Sequence, residues 1–189
     1  VEVERITERL VLRRWRGGDR DPFAALCADP EVMEFFPAPL DRIAADALAD
    51  RADAMFDSHG YGLWAVERRD TAEFIGFTGL APLPAGVPGA GGVEVGWRLA
   101  RDQWGHGFAT EAAGEALSFA FDDVGLDEVG SITAVVNSRS RAVMERIGMR
   151  QADLFEHPRI DEGSPLRPHV RYLLTRTEQT ARLPTAPLC

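Results

Sequence analysis

The sequence predicts an α+β fold: a central mixed, mostly antiparallel sheet of about seven strands with helices on both faces. Two observations point there. The 189 residues, 45% hydrophobic and 27% charged, are enough for one compact domain with a real core. Along them, strand-like segments come first as a group and then alternate with helical patterns, without internal repeats.

Residues 10–15 (LVLRRW) read as the first strand. Asp21-Pro22 then opens a helix, with Asp at the N-cap and Pro at the first helical position, where its missing donor costs nothing; that helix ends near Ala28. After the aromatic segment Phe35-Phe36-Pro37, a second helix spans 41–58. Ile43, Ala44, Ala47, Leu48 and Met55 lie on one side of it, Asp46, Asp50 and Asp53 on the other, and Gly60 stops it. Three strands follow at 61–67 (YGLWAVE), 74–80 (FIGFTGL) and 93–99 (VEVGWRL). Between the last two, residues 81–92 hold three prolines and four glycines and read as a long hairpin loop. A helix over 108–123 shows a wet face at Glu111, Glu115, Ser118 and Asp122 and an alanine-rich buried side. A strand at 131–136, a helix at 138–147 and a final strand pair at 152–156 and 170–175 complete one domain over 1–176. Residues 177–189 read as a disordered tail.

Composition excludes several function classes. A net charge of −9 argues against nucleic acid, whose phosphates need a basic face, and suits a cationic partner better. No segment approaches the roughly 20 apolar residues that cross a bilayer, and the first residues lack the order of a signal peptide, so a cytoplasmic protein without a membrane partner is expected. Cys27 and Cys189 are too badly placed for a disulfide or a metal site and read as free thiols. His157 and His169 stand without a cysteine or carboxylate cluster, so no metal is expected.

The chemistry concentrates in residues 101–113 (RDQWGHGFATEAA), which join a strand to a helix. Gly105 and Gly107 let the backbone turn sharply and approach a ligand, and the first-turn N–H groups of the helix have no internal acceptor. Such an end binds anions, and three or four charge-assisted bonds at roughly 1.5–3 kcal/mol each would hold a pyrophosphate. A dinucleotide fold would want a third small residue where Thr110 stands, and a P-loop would want Gly-Lys-Ser/Thr. A tight turn that merely starts a helix is the plain alternative.

Trp104-Gly105-His106-Gly107-Phe108-Ala109-Thr110-Glu111-Ala112 resembles the acetyl-CoA pyrophosphate loop of the GNAT superfamily of N-acetyltransferases, in the form of its RimJ/RimL-type members. Glu94-Val95-Gly96-Trp97 resembles the strand before that loop. Asn137-Ser138-Arg139-Ser140, leading to Met144-Glu145-Arg146-Ile147-Gly148-Met149, resembles the family's Asn-x-x-Ser helix and its closing glycine. The order of elements fits from Leu10 to Thr175.

The resemblance implies a sheet splayed between its fourth and fifth strands, with exposed backbone from Trp97 to Leu99 pairing with the pantetheine arm of acetyl-CoA, the co-substrate. Trp104, Gly105, His106, Gly107, Ala109 and Thr110 would lie at the pyrophosphate, Asn137 would bond the pantetheine arm, and Ser140 would sit by the thioester sulfur. Arg139, Arg141, Arg146 and Arg150 form a local basic patch that could meet CoA phosphates. The activity implied is transfer of the acetyl group to a primary amine of a small molecule or peptide, including a protein N-terminus, by direct attack. A catalytically silent acyl-CoA-binding module is the alternative. Glu94 is the best-placed base, acting through water, and the N–H of Val95 or Gly96 is an oxyanion donor. Where many relatives have a tyrosine acid, Met144 stands here, which leaves Ser140 to assist the thiolate. The acceptor pocket would gather Phe35, Phe36, Tyr61, Trp64 and Trp97, and a homodimer is the family-level expectation.

Overall fold

The computed structural model describes residues 4–182 and is built on one sheet with the strand order β1-β2-β3-β4-β5-β6-β8-β7. The strands are β1 (Arg5–Ile6), β2 (Leu10–Arg13), β3 (Leu63–Arg68), β4 (Phe74–Pro82), β5 (Val93–Leu99), β6 (Glu128–Ala134), β7 (Arg150–Glu156) and β8 (Pro168–Thr175). Every registered neighbour pair is antiparallel except β5 and β6. The eight strands exceed the expected seven by β1, whose two residues are too short to leave a periodic signal. Strand β6 begins three residues earlier than the sequence suggests, at Glu128, because Glu128, Val129 and Gly130 continue the ladder with β8.

Helices cover both faces. The helix α3 (Phe108–Asp122) packs its alanine side, Ala112, Ala113, Ala116 and Ala120, into a core shared with Leu12, Trp64, Val95 and Phe119. On the other face, α1 (Arg20–Ala28) and α2 (Arg42–His59) close over Phe23, Cys27, Leu63 and Phe77. The α1 start differs from expectation: Asp19, not Asp21, stands at the N-cap, and its carboxylate binds Arg13 and the Arg16 N–H rather than capping the helix.

The capping of α2 follows the sequence, with the Asp41 side chain accepting from the Ala44 N–H and Gly60 turning left-handed at φ 77°. Its buried side does not. Ala45, Ala49, Ala52 and Phe56 are buried, while Ile43 is 80% exposed. Small residues at i, i+4 and i+7 let the helix axis approach its neighbours closely, and that spacing outweighs the larger but scattered hydrophobes. The helix α4 (Ser138–Arg146) follows β6. The segment expected as a tail from 177 is helical at its start, as part of α5 (Arg176–Arg182); Cys189 lies outside the described residues. No helix of the described residues is long and apolar enough to cross a membrane.

Candidate active site

The site lies where β5 and β6 part. They share a single registered pair, Glu94 with Gly130, reinforced by the Ser131 hydroxyl donating to the Val95 carbonyl at 2.9 Å. Along β5, the Gly96 carbonyl accepts from Thr78 Oγ1 and the Ala100 N–H donates to Ile75, so even-numbered residues turn their backbone toward β4. The backbone of Trp97 and the Leu99 N–H therefore face the gap. Two expectations need correction here. Gly96 is spent on β4 and is no oxyanion donor, and the Leu99 carbonyl is already taken by the Trp104 indole N–H at 2.9 Å.

The loop following β5 supplies a run of backbone donors. Gly105 and Gly107 sit at φ 82° and 81°, a region costly for any residue with a Cβ. Among the described residues, no protein acceptor is paired with the N–H groups of residues 105–110. Arg9 buttresses this turn from behind, donating to the His106 carbonyl at 2.9 Å, stacking 4.7 Å from the Phe108 ring and pairing with Glu111. Glu111 is thereby neutralised, leaving the helix N-terminus free to attract an anion.

At the other rim, Asn137 caps α4. Its Oδ1 accepts from the Ser140 N–H at 3.1 Å, and its Nδ2 donates to Thr133 Oγ1 at 3.0 Å and Ser140 Oγ at 3.1 Å. The side chain expected to bond pantetheine is thus engaged within the protein. It orients Ser140, filling a hydroxyl oxygen lone pair and leaving the hydroxyl hydrogen free to donate, and its own Oδ1 keeps a second lone pair in the cleft that Asn137 lines.

These parts line one cleft of about 1070 Å³ together with Phe35, Phe36, Glu94, Trp97, Arg98, Leu99, Trp104, His106, Ala109 and Thr110. Glu94 is partly buried with no hydrogen-bond partner among the described residues, and burial pushes its pKa up to about 7. Of the aromatic residues expected at the acceptor, Phe35, Phe36 and Trp97 reach the cleft, whereas Tyr61 and Trp64 do not. Trp64 is fully buried, 5.0 Å from Phe119 and 5.3 Å from Phe56, because β3 turns it to the α3 face as core. Tyr61 packs beside His59 at 5.5 Å. Tyr172, the other tyrosine, donates to Glu145 at 2.9 Å and lies outside the cleft.

The basic patch is dispersed as well. Arg139 reaches the cleft but is paired with Glu34 at 2.6 Å, Arg150 is paired with Glu178, and Arg141 bonds the Val135 carbonyl; only Arg146 of the set lines the cleft with no partner among the described residues. His157 and His169 approach to 4.7 Å, and among the described residues no group of three or more metal-ligating side chains converges. Sequence reasoning missed Arg98. It stands two positions beyond Gly96 on the same face as Glu94, and the run Glu94, Gly96, Arg98 is the alternation that could have found it.

A family model described as an acetyltransferase (GNAT) domain matches residues 9–150. The chain is 26% identical over 161 residues to the uncharacterized N-acetyltransferase YoaA of Bacillus subtilis, covering 84% of this chain and 89% of that protein. It is 35% identical over 129 residues to FsC-acetyl coenzyme A-N(2)-transacetylase of Aspergillus fumigatus, covering 63% of this chain and 52% of the relative. The crystal structure of an acetyltransferase from Agrobacterium tumefaciens superimposes with a TM-score of 0.75 at 26% identity, over 90% of this chain and 93% of that one. An open amide turn beside a parted strand pair, in a chain matched over most of its length by that model, means that this protein belongs to the GNAT acetyltransferase family and is an acetyl-CoA-dependent N-acetyltransferase.

Proposed function

We propose that the enzyme is of the RimJ/RimL type and transfers acetyl to a primary amine by direct attack, with Glu94 as base and Ser140 assisting the leaving thiolate. The observation that supports it most is the unpaired N–H run of residues 105–110 opening onto the same cleft as Glu94 and Ser140. In this reading the amides hold the pyrophosphate, the Trp97 backbone pairs with the pantetheine arm in the gap, and the thioester lies between Glu94 and Ser140.

The amine nitrogen attacks the thioester carbonyl while Glu94, directly or through one water, takes the proton it sheds. Collapse of the tetrahedral adduct then breaks the C–S bond and releases CoA thiolate. The Ser140 hydroxyl, a weaker acid than a thiol, donates a hydrogen bond to that sulfur, and the thiolate is finally protonated from solvent. A carboxylate with a pKa of about 7 is well matched to this work near neutral pH. Phe35 and Phe36, carried by the segment between α1 and α2, form the apolar wall for the acceptor.

Calorimetry with acetyl-CoA, followed by thiol release on adding N-terminal peptides, polyamines and small amines, tests this. Binding with thiol release for at least one class is expected, and no binding at millimolar cofactor would overturn it.

A further inference from the structure

The chain contains no lysine, so every strong side-chain cation is an arginine. The most buried of them show what such a group requires. Arg13, 4% exposed, pairs with Asp19 at 2.8 Å and Glu67 at 2.7 Å; Arg171, 9% exposed, pairs with Glu128 at 3.3 Å and Asp153 at 3.1 Å. Two carboxylates each is the compensation expected when a guanidinium leaves water.

Arg98 breaks this pattern. It is largely withdrawn from solvent on β5, and burial lowers its pKa, yet no carboxylate pairs with it among the described residues. Its Nη1 donates to Cys27 Sγ at 3.3 Å, its face lies 4.2 Å from the Phe36 ring and 5.4 Å from the Phe77 ring, and its Nε is buried with no partner among the described residues. Burial pushes the Cys27 thiol up, so the sulfur stays neutral and does not offset the charge. Arg98 also lines the cleft. Between it and Glu94 on that face stands Gly96, where a Cβ would meet nothing within 4 Å, so the strand floor separating the two charged side chains is open.

We infer that Arg98 is the anion anchor of the acceptor part of the cleft, so that the amines acetylated here also carry a carboxylate. The inference rests on the acceptor reading of Phe36 and Glu94 given above. With Nη1 held by sulfur and Nε enclosed by protein atoms, Nη2 is the donor left for a ligand in the cleft, and a carboxylate oxygen there supplies the charge-assisted bond that this guanidinium lacks among the described residues. The carboxylate can belong to a free amino acid or to an acidic side chain of a peptide, and the test separates these sources.

Acetylation by the full chain is compared for matched acceptors: L-phenylalanine against L-phenylalaninamide, and C-terminally amidated peptides beginning Ser-Asp against Ser-Asn. The carboxylate member of at least one pair is expected to have a kcat/KM about 30-fold higher or more, and the pair that shows it names the source. Arg98→Met should abolish the preference through the acceptor KM while leaving the acetyl-CoA KM unchanged. Arg98→Lys, which keeps the charge on a different head group, should retain part of it. Equal rates or no rate within both pairs, a preference that survives in Arg98→Met, or a rise in the acetyl-CoA KM instead would overturn this inference alone. Absence of acetyl-CoA binding in calorimetry would remove the underlying reading with it.

Discussion

Two parts of the cleft are made of different material. Residues 105–110 present peptide N–H groups from one continuous turn, positioned by two glycines at positive φ and braced by Arg9. The part facing Gly96 presents side chains instead: Glu94 and Arg98 from β5, and Phe35 and Phe36 from the segment between α1 and α2. Backbone donors cannot be altered by ordinary substitution, so the first part suits a ligand common to a whole family. Side chains change freely, so the second suits a ligand peculiar to one enzyme.

Substitutions can break that contrast or sharpen it. The largest effect is expected from Glu94→Gln, which removes the proposed base and should lower kcat by about 100- to 10,000-fold. In the parent, kcat should fall as pH drops below about 7, because only the ionised carboxylate accepts the proton. The variant should lack that limb, and an unchanged pH profile would take the base role from Glu94. The same raised pKa favours the folded parent at low pH and is a liability above 7. Glu94→Gln should therefore match the parent near pH 4 and unfold at higher denaturant concentration at pH 8.

Trp64→Ala tests which aromatic residues belong to the core rather than to the acceptor. Loss of a fully buried indole should cost about 3–5 kcal/mol in urea unfolding, with the acceptor KM unmoved in the remaining folded protein. A KM shift without loss of stability would return Trp64 to the acceptor. Gly107→Val forces a branched side chain into φ 81° and should weaken acetyl-CoA binding by about 100-fold with the fold retained. Unchanged affinity would mean that the turn does not carry the cofactor. The smallest effect is expected from Ser140→Ala, with kcat lower by about 10-fold and the acetyl-CoA KM constant, since the hydroxyl acts only as the thiolate forms.

The same contrast separates what was legible in the sequence from what was not. The turn could be read because its determinants are local: Gly105, Gly107 and the helix start at Phe108 fall within four residues. The strand segments and most helix bounds were read for the same reason, from period and caps. The burial of α2 was misread, since hydrophobicity chose Ile43 where close packing chose the alanines. Asn137 was placed at the right end of β6 and lines the cleft, but its cap to Ser140 and bond to Thr133 join segments whose contact only the fold creates. Trp104, expected beside the pyrophosphate, donates its indole N–H to the Leu99 carbonyl, a contact that the local sequence does not announce.

By itself, the order of residues determined most of the elements, the glycine turn before Phe108 and the family those features resemble. Tertiary structure alone decided that β8 inserts between β6 and β7, that Trp64 points into the core, and that Arg98 meets Phe36 and Cys27 with no carboxylate paired to it among the described residues. A turn is fixed by torsions within a few residues. The surroundings of a side chain are set by segments as far apart as residues 27 and 98, whose meeting depends on the free energy of the whole packed sheet.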